Sequence, residues 1–240
     1  MKRSTSVKTI SVLGALVVIL LGIGAWRAFG PKPDGDTTPP KELVTQVDRG
    51  LSEEQLVTQN QKIADLKAQI EAKEAEGDQD VGLILQLGNA YYGIGELALA
   101  VEQYDAILKT HPSDAPSFEN KGQAQYEMGD YVGAEASWRA ASAVSPYEVT
   151  TMRIVNLIQD HFPARQVEIQ SILETAITNM GQTVGLVSRL GEWYAVNGLL
   201  EEAVSHYEVA VKLDPTNENL KSRLTELKRQ LVVIEKAKQK

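Results

Sequence analysis

Residues 81–114 read VGLILQLGNAYYGIGELALAVEQYDAILKTHPSD, and residues 184–217 read VGLVSRLGEWYAVNGLLEEAVSHYEVAVKLDPTN. Aligned without gaps they share Leu87/Leu190, Gly88/Gly191, Tyr91/Tyr194, Gly95/Gly198, Ala100/Ala203, Tyr104/Tyr207 and Pro112/Pro215 at a constant offset of 103 residues. The stretch between them, 115–148, supplies Phe118, Gly122, Tyr126, Gly129, Tyr131, Ala134, Trp138, Ala141 and Pro146. The offset is therefore three periods of roughly 34 residues with one residue over, and a period of that size marks stacked supersecondary units.

The recurring residues have distinct physical roles. Gly88, Gly122 and Gly191 on a first helix, and Ala100, Ala134 and Ala203 on a second, let the two helices approach closely. Tyr104, Trp138 and Tyr207 are large enough to fill the space against the next unit. Gly95, Gly129 and Gly198 suit the turn between the helices, where positive φ is cheap only for glycine. Pro112, Pro146 and Pro215 end the second helix because proline cannot continue it.

These stretches resemble the tetratricopeptide repeat, a helix–turn–helix unit. The resemblance implies an all-α solenoid, with repeats at 81–114, 115–148 and 184–217. Residues 149–183 are expected to form a degenerate repeat. They carry Asn156 where the others have glycine, have no glycine at the turn, and are interrupted at His161-Phe162-Pro163. The segment 218–240 is expected to be a C-terminal capping helix, with Leu220, Leu224, Leu227, Leu231 and Ile234 on one stripe, since the last unit of an array needs its open core covered. Its basic face also fits a helix lying on a membrane surface.

Ahead of the repeats, Ser52-Glu-Glu-Gln55 forms a capping box that opens an amphipathic helix within 51–79. Leu56, Ile63 and Ile70 stand one heptad apart, with Leu66 between them. The stripe either packs on the first repeat or forms a homodimer interface through residues 52–75. Residues 30–50 read as a linker, with four prolines between Pro31 and Pro40. Ile10–Trp26 carries no charge, and 9–29 is long enough for a transmembrane helix, with 1–8 as a cytoplasmic tail. The basic residues Lys2, Arg3 and Lys8 place the N-terminus inside a cytoplasmic membrane and the repeats on its extracytoplasmic side. A cleaved signal peptide is the alternative for this segment.

The formal net charge is −8. Residues 1–30 hold four basic residues and no acid, and 218–240 hold seven basic and three acidic ones, so 31–217 stands at −16. A body this acidic repels phosphate backbones, which excludes nucleic acid as a partner. The absence of cysteine removes disulfides, thiolate metal sites and a thiol nucleophile. His111, His161 and His206 fall in separate repeats with no recurring acid beside them, and no phosphate loop or nucleophile motif occurs. No enzyme, metal or cofactor is therefore expected.

A repeat array offers instead a concave face of first-helix side chains. Carried over from the family, the peptide-binding positions are Leu85, Asn89, Tyr92, Glu119, Asn120, Gln123, Tyr126, Arg153, Leu157, Ser188 and Glu192. Asn89 and Asn120 match the asparagines of the family's carboxylate clamp, but Leu85, Thr150 and Ile154 stand at its basic positions, so that clamp is rejected. The expected function is a membrane-anchored scaffold or assembly factor for partner proteins, by analogy with anchored repeat proteins of cytochrome-maturation and pilus-assembly systems. An extracytoplasmic chaperone for exported polypeptides is the alternative.

Overall fold

Short polar side chains open most of the helices, and extended residues before proline close several of them. The computed structural model describes residues 42–238, with side chains to 237. Its helices are α1 (Glu53–Ala75), α2 (Val81–Gly93), α3 (Leu97–Thr110), α4 (Ala115–Met128) and α5 (Tyr131–Val144). They continue as α6 (Glu148–His161), a 3-10 turn (Pro163–Arg165), α7 (Glu168–Met180), α8 (Val184–Val196), α9 (Leu200–Leu213) and α10 (Glu218–Lys238). Asp80, Asp114, Asp130 and Thr183 each accept a hydrogen bond from an amide three residues on, capping α2, α4, α5 and α8. Ser52 and Gln55 make the reciprocal capping box at α1. Helices α3, α5 and α9 stop two residues before Pro112, Pro146 and Pro215, with His111, Ser145 and Asp214 at φ −124, −143 and −133. Proline forces its predecessor out of the helical region, so the stop is steric.

The paired helices lock at one repeated socket. A Cβ built on Gly88 would stand 2.6 Å from the Tyr104 ring, one on Gly122 2.5 Å from Trp138, and one on Gly191 2.9 Å from Tyr207. All three aromatic residues are buried. Gly95, Gly129 and Gly198 carry the turns at φ 88, 81 and 77.

Residues 148–180 keep two helices but lose the socket. Asn156 is exposed, and the core is built from Ile154, Val155, Ile158 and Leu173. The turn is held by charge in place of glycine. Arg165 of the 3-10 turn forks onto buried Glu135 of α5, both nitrogens at 2.7 Å, and also pairs with Glu168 of α7. Arg139 adds a third bond to Glu135 at 2.7 Å. Burial pushes the Glu135 carboxyl up, but the hydrogen bonds from Arg165 and Arg139 outweigh it and hold the group below the usual range.

At the C-terminal end, Asn217 caps α10, and buried Leu220 and Leu227 close the core over α9. At the N-terminal end, the middle of the apolar stripe of α1 packs within the chain, while Leu56 stays exposed. Ile63 and Leu66 are 6% and 4% exposed in one cluster with Leu87, Tyr91, Ala100 and Tyr104. This corrects the homodimer reading of 52–75, because Ile63, Leu66 and Ile70, three of the four side chains that would pair two copies, already pack on the first repeat.

Residues 43–50 run as an extended strap over the turns of the first two repeats. Val47 N–H donates to Gly95 O at 3.0 Å, Ala98 N–H to Thr45 O at 3.2 Å, and Val44 N–H to Met128 O at 3.0 Å. Gln46 and Glu96 form an isolated bridge, and no strand occurs among the described residues.

The expected membrane span requires correction. Residues 9–29 lie outside the described residues, and none of the described helices is long and apolar enough to cross a membrane. Even α1, at 23 residues, is studded with charge from Glu53 to Glu74. The expectations tied to such a helix are withdrawn: the anchored scaffold, the anchored chaperone, the membrane as a partner, and the inside–outside placement.

Candidate functional site

The first helices of the repeats, α2, α4, α6 and α8, carry the predicted groove residues. The structure sorts these residues into separate groups. Asn89, Tyr92, Asn120 and Gln123 come together with Tyr104 around a cavity of about 180 Å³ between α2 and α4. Asn120 donates through Nδ2 to Asn89 Oδ1 at 2.9 Å, and the Tyr104 hydroxyl donates to the same oxygen at 2.8 Å. Burial drives the Tyr104 phenol pKa well up, so it remains a donor at any physiological pH.

One end of this cavity is closed by a network that sequence reasoning missed. Glu127 accepts from the Tyr92 hydroxyl and from Gln123 Nε2, the latter at 3.1 Å. Arg49 of the strap pairs with Glu127 at 2.8 Å, stacks 4.7 Å over the Tyr92 ring, and donates to Tyr92 O. Burial raises the Glu127 carboxyl, but the hydrogen bonds from Tyr92, Gln123 and Arg49 reverse that and leave it below its ordinary value. Burial, with Glu127 alongside, raises the Tyr92 phenol. Glu127 was discoverable, since it lies one residue past Tyr126 on the same helix. Nothing local marks Arg49, which arrives from 43 residues away.

Glu119 and Arg153 neutralise each other at 2.7 Å, and the Thr150 hydroxyl donates to Glu119. Glu192 is held by Arg223 of α10 at 2.9 and 3.0 Å and by the Tyr207 hydroxyl at 3.1 Å. Burial first, and then Glu192, push the Tyr207 phenol up to about 12. Ser188 donates to Gly185 O at 3.2 Å. Tyr126 packs among Tyr131, Trp138 and His161, and Leu85 leans on the first core cluster. Leu157 is 1% exposed, so its assignment to a binding face is corrected: it belongs to the core.

A second cavity, of about 370 Å³, lies between α6 and α8 and includes Arg189 and Trp193, neither of which the repeat pattern singled out. Among the described residues no group of three or more His, Cys, Asp or Glu is placed to hold a metal ion.

An array of paired helices stacked along the chain defines a helical-repeat protein. Residues 85–147 match the tetratricopeptide repeat family model, about a quarter of the chain. No curated protein gives a match. Among solved structures, the chain is similar to the C-terminal part of a TPR repeat-containing protein from Cytophaga hutchinsonii, with TM-score 0.56 and 19% identity over 70% of this chain and 69% of that one. It is similar to MamA at TM-score 0.54 and 18% identity, covering 70% of this chain and 96% of that one. It is also similar to MamA 41-end from Desulfovibrio magneticus RS-1 at TM-score 0.50 and 17% identity, covering 66% and 89%. At these identities the likeness is one of fold.

Proposed function

We propose that this chain is a protein–protein interaction scaffold that holds a partner polypeptide along α2 and α4, with Asn89, Tyr92, Asn120 and Gln123 as its contacts. One observation carries the reading. The Asn120–Asn89 bond uses one group of each amide, and leaves Asn89 Nδ2 and Asn120 Oδ1 without a partner among the described residues, beside an open cavity. One spare donor beside one spare acceptor complements a peptide unit, which presents the reverse pair. A rigid face built from helices holds such groups in place, so a partner bears most of the ordering cost.

The test is cross-linking of the full chain in intact cells, followed by affinity measurement on the recovered partner. Asn120→Ala combined with Gln123→Ala is expected to weaken that partner about tenfold or more, with an unchanged melting curve. A fixed stoichiometry supports a scaffold. Undiminished binding by the double variant overturns the assignment.

A further inference from the structure

The described residues contain seven arginines, and six of them are paired with a carboxylate: Arg49, Arg139, Arg153, Arg165, Arg223 and Arg229. Arg189 differs. It donates only to amide oxygens, Asn156 Oδ1 at 3.1 Å and Gln159 Oε1, and both bonds use Nη2. Its Nε and Nη1 have no hydrogen-bond partner among the described residues. The acid that shares its cavity, Glu192, is already committed to Arg223 and Tyr207.

The cavity that Arg189 lines is bounded by apolar side chains and by the amides of Gln159, Gln166 and Asn197. Ile169, Trp193 and Val196 form the apolar wall, and Val196 is 76% exposed. The Trp193 indole is fixed, since its Nε1 donates to Gln166 O at 3.1 Å and its ring meets Tyr194 edge-on. A rigid aromatic wall beside a forked cation is a common composition for a binding hot spot. Gln159 and Val196 in its lining are exposed, so the cavity is open to solvent.

We infer that the cavity between α6 and α8 is a second contact site of the groove, taking an aspartate or glutamate side chain flanked by an apolar residue of the partner polypeptide. A guanidinium fork matches a carboxylate with two parallel bonds, and Nε with Nη1 or Nη2 provides such an edge. A guanidinium without a carboxylate partner, on a body of net negative charge, favours one carboxylate and repels a densely anionic chain. The apolar wall accounts for the neighbouring residue. A side-chain acid has residues on both sides of it, so an apolar neighbour can reach the wall whichever way the chain runs.

This inference rests on the first-helix face being a peptide groove, and the experiment separates the two. Three fluorescent peptides are titrated into the full chain: capped Leu-Glu-Leu-Phe amide, its Gln counterpart, and the Gln counterpart with a free C-terminal carboxylate. The Glu peptide is expected to bind saturably and about tenfold tighter than the Gln amide. Arg189→Met, which keeps the stem and leaves only exposed amides behind, is expected to abolish that preference with an unchanged melting curve. Equal binding of the Glu and Gln amides overturns the inference. So does no binding, or binding of the free-acid peptide alone. Partner capture that depends on Asn120 and Gln123 while the Glu peptide fails sinks this site only. A Glu preference at Arg189 with no captured partner sinks the α2–α4 assignment only.

Discussion

Gly122 lies directly beneath Trp138, and a Cβ built on it would stand 2.5 Å from the indole Cδ1 and 2.6 Å from Nε1. The indole is 2% exposed and donates to Glu119 O at 3.3 Å, so it has nowhere to move without losing packing. Gly122→Ala is therefore expected to cost about 1–3 kcal/mol, the range for overpacking a filled core. Gly93→Ala is the matched control. Its Cβ meets nothing within 4 Å at the end of α2, and a gain of up to ~1 kcal/mol is expected from helix propensity. Urea unfolding checks both, and equal effects would contradict the socket.

Arg165→Ala leaves the Glu135 carboxylate, 6% exposed, with Arg139 as its one remaining cation. Stranding part of a buried ion cluster is expected to cost about 3 kcal/mol. The loss should concentrate in amides of α6 and α7, read by hydrogen exchange, because the 3-10 turn they flank is held by this pair. Uniform loss across the chain would contradict that.

Glu127 and Glu135 both sit below the ordinary carboxylate value of 4.5 in the folded chain. A depressed folded value means that the unfolded chain takes up protons first. Their contribution is complete above the unfolded value and is lost as pH falls through the lower folded value. Stability should therefore fall steadily below about pH 4.5, and Glu127→Gln should flatten part of that slope. In the same acid range, release of Arg49 should raise amide exchange at Val47, whose N–H is held by Gly95 O.

Leu66 is 4% exposed between α1 and the first repeat. Leu66→Ala is expected to cost about 2–4 kcal/mol with no change in molecular mass by sedimentation. A shift to a smaller species would restore the intermolecular role that the packing of α1 removes.

Ser117 is fully buried at the start of α4, and its hydroxyl has no partner among the described residues. Ser117→Ala keeps the amide bond to Asp114 and removes an unsatisfied polar atom, so a gain of about 1 kcal/mol is expected from thermal unfolding.

Much of the fold was legible because its determinants are local. Gly95, Gly129 and Gly198 were readable as turns from positive φ, and Pro112, Pro146 and Pro215 as stops from sterics. The small Gly88, Gly122 and Gly191 were readable as close-approach positions, but Tyr104, Trp138 and Tyr207 were expected against the next unit, whereas their rings lie on the glycines of their own helix pair. Less of the site was legible. Position within a repeat says which way a side chain points, and it could not say that Glu119 and Arg153 consume each other, or that Glu192 is held by Arg223 from α10. Leu157 was misplaced because the degenerate unit presents a different face of α6, leaving Asn156 exposed and Leu157 buried.

By itself, then, the sequence determined the repeat, its period, its helix ends and the closure over α9, since each follows from residues within a few turns of one another. Only the tertiary structure decided where the charges go. Arg49 reaches Glu127 and Arg165 reaches Glu135, while Arg189, beside an open cavity, is the one described arginine with no carboxylate partner among the described residues. Ion pairing is set by distance in space, and long flexible side chains find partners that no periodicity along the chain encodes.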